Sequence, residues 1–287
     1  MSTATLGGGV TVAYDDQGAG QPLVLVHGHP FNRSMWRPQL DTFSRAGWRV
    51  IVPDLRGYGE STVVPGRTTL TTFARDIAAL LDHLGVAEVV LGGLSMGGQI
   101  VMEFHRLFPE RIRALVLADT SAPAETEEGR ARRNAMADRL LGEGMAPYAQ
   151  EVLSSMVAPH VVETHPHVAS AVLTMMRATS PEGAAAALRG RAERPDYVGM
   201  LPNVTVPTLV VVGEQDVFTP IPDARLLAER IPHAELAVIP RAGHLPNLEC
   251  PERFDAALAS FLGSLARGGD PAPPVVRTSP GSAGLQT

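Results

Sequence analysis

The chain has 287 residues and a formal net charge of −6, and its 24 basic residues are all arginine. Without lysine there is no Schiff-base amine, no pyridoxal phosphate anchor, no P-loop lysine and no Ser–Lys dyad, since a guanidinium keeps its proton at any working pH. The acidic balance speaks against nucleic acid or an anionic membrane as partners, and a single cysteine, Cys250, excludes an internal disulfide.

The opening MSTATLGGG has neither the basic region nor the apolar stretch of a secretory signal, and no apolar run approaches the roughly 18 residues of a membrane span. A cytoplasmic protein is expected. Val10–Asp15 alternates like an antiparallel edge strand. Leu23–His27, Arg49–Asp54, Val89–Leu94, Ala114–Ala118 and Thr208–Gly213 are short aliphatic runs that predict buried strands. Leu70–Leu84 keeps Phe73, Ile77, Leu80, Leu81 and Leu84 on one helical stripe ended by Gly85. Gly97–Leu107 and Pro251–Leu265 also predict helices. Such alternation predicts an α/β fold with a mostly parallel central sheet and helices on both faces.

From Pro123 to Leu201 the strand rhythm stops. This part is rich in Ala, Arg, Glu and Met and predicts several helices, with breaks at Gly142, Gly144, Pro159, Pro166 and Pro181. The strand pattern resumes at Thr208, so the helical part reads as a cap inserted into one α/β domain. The expected division is core 1–122, cap 123–201, core 202–267 and a Pro/Gly/Ser tail 268–287 that cannot bury a core.

The chemistry concentrates at Gly93-x-Ser95-x-Gly97, between a predicted strand and a predicted helix. That is the context of a nucleophile elbow, a turn so tight that only small residues fit beside the serine. A neutral hydroxyl needs a base. With lysine absent the candidate is His244, which Gly243 and the strand Leu236–Ile239 would bring to the same sheet edge. The imidazole needs an acid, and Asp216, directly after the strand Thr208–Gly213, is favoured over its rival Asp119, after Ala114–Ala118. Glu214 reads as a loop carboxylate. The oxyanion donors expected are the backbone amides of Met96 and His29, the latter following the His27-Gly28 turn. His27 itself reads as a structural histidine. Phe31, Met145 and Met175 are candidates for substrate contact.

The runs HGHPFNRSMW (27–36), PDLRGYGES (53–61), GLSMGG (93–98), GEQDVFTP (213–220) and AGHLPNLECPERF (242–254) resemble the α/β-hydrolase superfamily. Within it the chain is similar to small esterases, 3-oxoadipate enol-lactonases and cofactor-free haloperoxidase/perhydrolases. The resemblance implies a triad of Ser95, His244 and Asp216, a helical cap, no metal and no organic cofactor. It also implies a structural loop at Asp54, Arg56, Gly57, Gly59 and Ser61. Serine at 95, where dehalogenases and epoxide hydrolases of this fold use aspartate, favours acyl chemistry. His29 stands where perhydrolases usually carry tryptophan.

The expected function is therefore cleavage of a carboxylic ester or lactone of a small organic substrate through an acyl-enzyme. Alternatives are a non-hydrolytic or C–C-bond-acting enzyme of this fold, a perhydrolase, or a ligand receptor. His165-Pro-His167 lacks a third metal ligand nearby, and Cys250 reads as a packing residue. Arg130, Arg132 and Arg133, balanced by Glu125, Glu127 and Glu128, read as a solvated helix surface.

Overall fold

Eight strands form one sheet: β1 (Ser2–Thr5), β2 (Thr11–Gln17), β3 (Gln21–Val26), β4 (Trp48–Pro53), β5 (Val89–Leu94), β6 (Ile112–Ala118), β7 (Thr208–Gly213) and β8 (Ala234–Ile239), in spatial order β1-β2-β4-β3-β5-β6-β7-β8. The computed structural model describes residues 1–266, so the tail expected at 268–287 lies outside the described residues. From β4 to β8 neighbouring strands run parallel, while β1 and β2 are antiparallel. The stretch Val10–Asp15 is thus not at the edge. Ser2–Thr5 covers it, a four-residue strand too short to announce itself by alternation.

The helices are α1 (Arg37–Arg45), α2 (Leu70–His83), α3 (Met96–Leu107), α4 (Glu127–Glu143), α5 (Met145–Met156), α6 (Val161–Thr164), α7 (Pro166–Ala178), α8 (Pro181–Ala192), α9 (Ile221–Arg230), α10 (Pro246–Glu249) and α11 (Pro251–Ala266). None of the described helices is long and apolar enough to cross a membrane. Strand alternation sorts the core into two layers. Val24, Val26, Val89 and Leu91 pack with Phe73, Ile77, Ile100 and Phe104 of α2 and α3. Leu23, Leu25, Val90 and Leu94 face the other way, onto Leu40 and Phe43 of α1 and Phe254 and Phe261 of α11. Each buried Phe contributes roughly 1.5–3 kcal/mol through the area it removes from water.

Helices α4–α8 lie between β6 and β7. Gly142 does not break them; it lies inside α4, and only Gly144, at φ 76°, ends that helix. Thr126 caps α4 by accepting from the Gly129 N–H at 3.0 Å, and Ser180 caps α8 at 3.2 Å with Pro181 in the first turn. A small core of their own joins α4, α5 and α8 through Leu140, Met145, Tyr148, Ala184 and Leu188. Met156, Val172 and Met176 of α5 and α7 extend the main core instead.

Candidate active site

Chain order reverses direction between β3 and β5, which pair with each other while their crossovers run to opposite sides. A crevice forms at the C-terminal ends of such strands, and it is where His27–His29 and Ser95 emerge. Ser95 sits at φ 57°, ψ −115°, a strained conformation for a side-chain-bearing residue. The surroundings over-determine it. Ser95 N–H donates to the Ala118 carbonyl at 2.9 Å, and Thr120 Oγ1–H donates to the Ser95 carbonyl at 2.7 Å. A Cβ at Gly97 would lie 2.2 Å from the Val26 oxygen, and one at Gly93 would lie 2.3 Å from the Gly97 carbonyl carbon. Glycine at both places lets the strand turn directly into α3.

His244 follows β8 in a loop, buried, with its Nδ1–H donating to Asp216 Oδ2 at 2.8 Å. Asp216 also accepts from the Thr219 hydroxyl at 2.6 Å, the Phe218 N–H at 2.8 Å and the Thr219 N–H at 3.2 Å. Burial opposes its charge. The His244 charge and hydrogen bond, with Thr219 and Phe218, outweigh that and hold its pKa at about 2. Asp119, the rival acid, lies beside them: Asp119, Asp216 and His244 each bring an atom within 4.8 Å of the others. Its Oδ1 accepts from the Gly213 N–H at 2.8 Å, but Oδ2 is buried without a partner. Burial first, and then the Asp216 charge, push its carboxyl well above the usual range. These three are the one described group close enough together to hold a metal ion, and a cation there would have to displace the proton shared by Nδ1 and Oδ2.

Neither the Met96 nor the His29 amide N–H donates to a protein acceptor among the described residues, so both are free for an oxyanion. Among the same residues Ser95 Oγ has no hydrogen bond to His244. The His27 ring is a brace: its Nδ1–H donates to the Gly28 carbonyl at 2.8 Å, and its Nε2 accepts from the Leu55 N–H at 3.0 Å. Both nitrogens are occupied, and burial lowers its pKa. Asp54 accepts from the Arg33 amide at 2.7 Å and the Glu60 amide at 2.9 Å and pairs with the Arg33 guanidinium. Ser61 Oγ donates to the Asp54 carbonyl at 2.7 Å, and Arg56 pairs with Asp76. This loop is held together by its own partners.

Phe31 is fully buried, and Met145 packs with Tyr148 and Leu188. Met175 belongs to the buried layer that contains Phe31 and also lines a surface cleft of about 470 Å³ with His167 and Leu248. Cys250 is half-buried against the same layer, and Glu214 Oε2 accepts from the Arg241 amide.

Arg133 does not lie on a solvated face. Its side chain is 25 % exposed and, with the nearly buried Arg194, grips Glu125, because α4 packs that face against α8. Sequence reading also passed over four side chains around the site. Tyr58 meets His29 Nδ1 at 2.8 Å, and Tyr148 stacks obliquely with the His29 ring at 6.3 Å. Arg191 Nε–H donates to Gln99 at 3.1 Å. Glu249 accepts from the amides of Ala158, Gly243 and Leu245 at 2.6–3.0 Å, tying the His244 loop to the segment after α5. A glutamate five residues after the candidate histidine and an arginine in an alanine-rich helix were visible signals. Nothing local said that either was buried.

The sheet order and the strand–serine–helix turn define an α/β-hydrolase. A family model described as alpha/beta hydrolase fold matches residues 21–251; the chain belongs to that family and is a hydrolase-fold enzyme. It is 31% identical over 232 residues to 3-oxoadipate enol-lactonase 2 of Acinetobacter baylyi, covering 80% of this chain and 84% of that protein. It is also 31% identical to a 2-hydroxy-6-oxononadienedioate/2-hydroxy-6-oxononatrienedioate hydrolase of Paraburkholderia phymatum, over 88% and 91% of the two chains. Among solved structures, a thermophilic esterase from Thermogutta terrifontis with malate bound superposes with a TM-score of 0.89 at 40% identity, covering 92% of this chain and 98% of that one.

Proposed function

We propose that the protein is a serine hydrolase that cleaves a carboxylic ester or lactone of a small organic substrate. The observation that carries this reading is the buried 2.8 Å bond between His244 Nδ1 and Asp216 Oδ2 at the sheet edge where the strained Ser95 turn emerges. With Nδ1 protonated toward Asp216, Nε2 holds a lone pair and serves as base. Ser95 Oγ attacks the acyl carbon as its proton passes to His244, and the amides of Met96 and His29 receive the oxyanion. His244 then protonates the leaving alcohol. In the second half it takes a proton from the water that attacks the acyl-enzyme and returns it to Ser95 Oγ as the acid leaves. No metal or organic cofactor enters any step.

Residues 123–201 are assigned as the cap above this site, with 1–122 and 202–267 as the core. Tyr197 and Leu201, near the end of the cap segment, pack with the main core beside α2 and α3. The chain therefore rejoins the core a few residues before β7.

The esterase and enol-lactonase relatives support ester or lactone cleavage. The Paraburkholderia phymatum relative favours a second reading, hydrolysis of a C–C bond in an oxo-dienoate. A panel of alkyl esters, lactones and such ketones, read with the wild type and Ser95→Ala, separates them. Turnover of esters or lactones lost by about 10³-fold or more in Ser95→Ala supports the first reading. Turnover confined to the ketones supports the second, and turnover unaffected by the substitution contradicts both.

A further inference from the structure

Helix α8 brings a charge to the site that the chain does not neutralise. Arg191 is only 8 % exposed, and its one hydrogen bond is to the neutral Gln99 amide at 3.1 Å. Among the described residues no carboxylate lies within ion-pair distance of it, and its two Nη groups have no acceptor. The charges that act on it are Arg133 and Arg194, which share Glu125. Arg133 and Arg194 thus have a carboxylate between them, and Arg191 has none. A buried cation without a partner is strongly disfavoured, so its presence asks for an anion that the chain lacks.

Its position says where that anion would sit. Gln99 is one turn beyond Ser95 on α3, and its backbone N–H donates to the Ser95 carbonyl at 3.2 Å. The Arg191 charge acts on Tyr58, Tyr148 and His29. His29 lies between the two tyrosines, with ring centroids 6.1 and 6.3 Å away. Burial, then Arg191 and Arg133, push its pKa well below the ordinary value, so the ring is neutral. The Tyr58 hydroxyl has no other acceptor among the described residues; assigned as the donor to Nδ1, it leaves the ring proton on Nε2, a buried atom with no partner. A second unused polar group therefore stands within electrostatic range of Arg191, on the residue whose backbone amide is assigned to the oxyanion.

The frame holding Arg191 is rigid. A Cβ on Gly183 would come 1.9 Å from the Gly57 oxygen, and one on Gly190 would come 1.7 Å from the Thr68 oxygen. Helix α8 therefore lies backbone to backbone on two core loops, and the Thr68 N–H donates to the Ala186 carbonyl at 2.9 Å. Arg191 follows Gly190 directly, so its position is set before any ligand arrives.

We propose that Arg191, with His29 Nε2–H beside it, binds a carboxylate carried by the substrate, so that the preferred substrate is an ester or lactone with a free carboxylate elsewhere in the molecule. This rests on Ser95 being the nucleophile, and it adds which of the many esters the site selects. A guanidinium that merely rests on the tyrosine faces would show no dependence on ligand charge.

Hydrolysis of monoethyl glutarate is compared with that of its uncharged amide counterpart, monoethyl glutaramate, in the wild type and in Arg191→Met. The expected wild-type ratio of kcat/KM, acid over amide, is at least about tenfold and is expressed mainly in KM, as one charge-assisted contact predicts. In Arg191→Met the ratio falls toward one. Calorimetric titration with glutarate itself supplies a readout that needs no turnover: binding in the wild type, weakened about tenfold or more in the variant. A wild-type ratio near one overturns the proposal even if Arg191→Met fails to fold, and so does a ratio that survives the substitution. Hydrolysis of both esters without preference leaves the serine-hydrolase reading standing and removes the carboxylate site. Glutarate binding that depends on Arg191, with no ester turned over, does the reverse.

Discussion

Asp216 accepts four hydrogen bonds and Asp119 accepts one, although the two carboxyl groups and His244 lie within 4.8 Å of one another. The difference decides which is an anion. Asp216→Asn is expected to lower kcat about 10³–10⁴-fold, because the amide cannot fix the imidazole tautomer, whereas Asp119→Asn lowers it less than about tenfold. Ester assays on both variants check this, and the opposite order would transfer the acid role to Asp119. Stability against pH separates the pair as well. The folded pKa of Asp216, about 2, lies below its ordinary value of 3.8. Its contribution, about 2 kcal/mol, is therefore present above pH ~4 and lost as pH falls toward 2. Asp119 has the opposite sign: its raised folded pKa makes ionisation work against the fold as pH rises through the ordinary carboxylate range and beyond. Asp119→Asn removes that ionisation, so its melting temperature relative to wild type should climb as pH increases. Melting curves taken between about pH 5 and 8 test the slope, and a parallel pH dependence in the two proteins would contradict it.

At the scale of elements, β5 and α3 were legible because three constraints follow one another between Val89 and Leu107. There is an aliphatic strand, a small-residue turn around Ser95 and an apolar helical stripe. Gly97→Ala puts a methyl 2.2 Å from the Val26 oxygen. It is expected to cost about 1–3 kcal/mol in urea unfolding and to depress turnover, since the strained serine must shift. The parallel strands β3 to β7 were equally legible as aliphatic runs with buried centres, while β8 at the end of the sheet is only partly buried. β1 was not legible, being four residues long, nor was α1, whose stripe is short and interrupted by polar groups. Gly142 has the propensity of a helix break, yet it lies inside α4, where helical packing overrides that propensity. What no local pattern held was the burial of Arg191 and Arg133, which depends on α8 meeting α4, some fifty residues apart in the chain.

For the whole molecule, the decisive feature is how the inserted helices are tied to the core. Thr179 Oγ1–H donates to the Pro30 carbonyl at 2.8 Å, α8 lies on the Gly57 and Thr68 loops, and Glu249 joins Ala158 to both sides of His244. Glu249→Gln replaces an acceptor oxygen with a donor facing backbone N–H groups. A loss of about 1–3 kcal/mol in thermal or urea unfolding, with reduced kcat, is expected; unchanged stability would remove Glu249 from this role. The most direct test of the central claim is mass-spectrometric mapping after treatment with a fluorophosphonate, which reacts with activated serines. One adduct per chain, on the peptide containing Ser95 and absent from Ser95→Ala, is the predicted result. An adduct elsewhere, or full ester turnover by protein that never labels at Ser95, would contradict it.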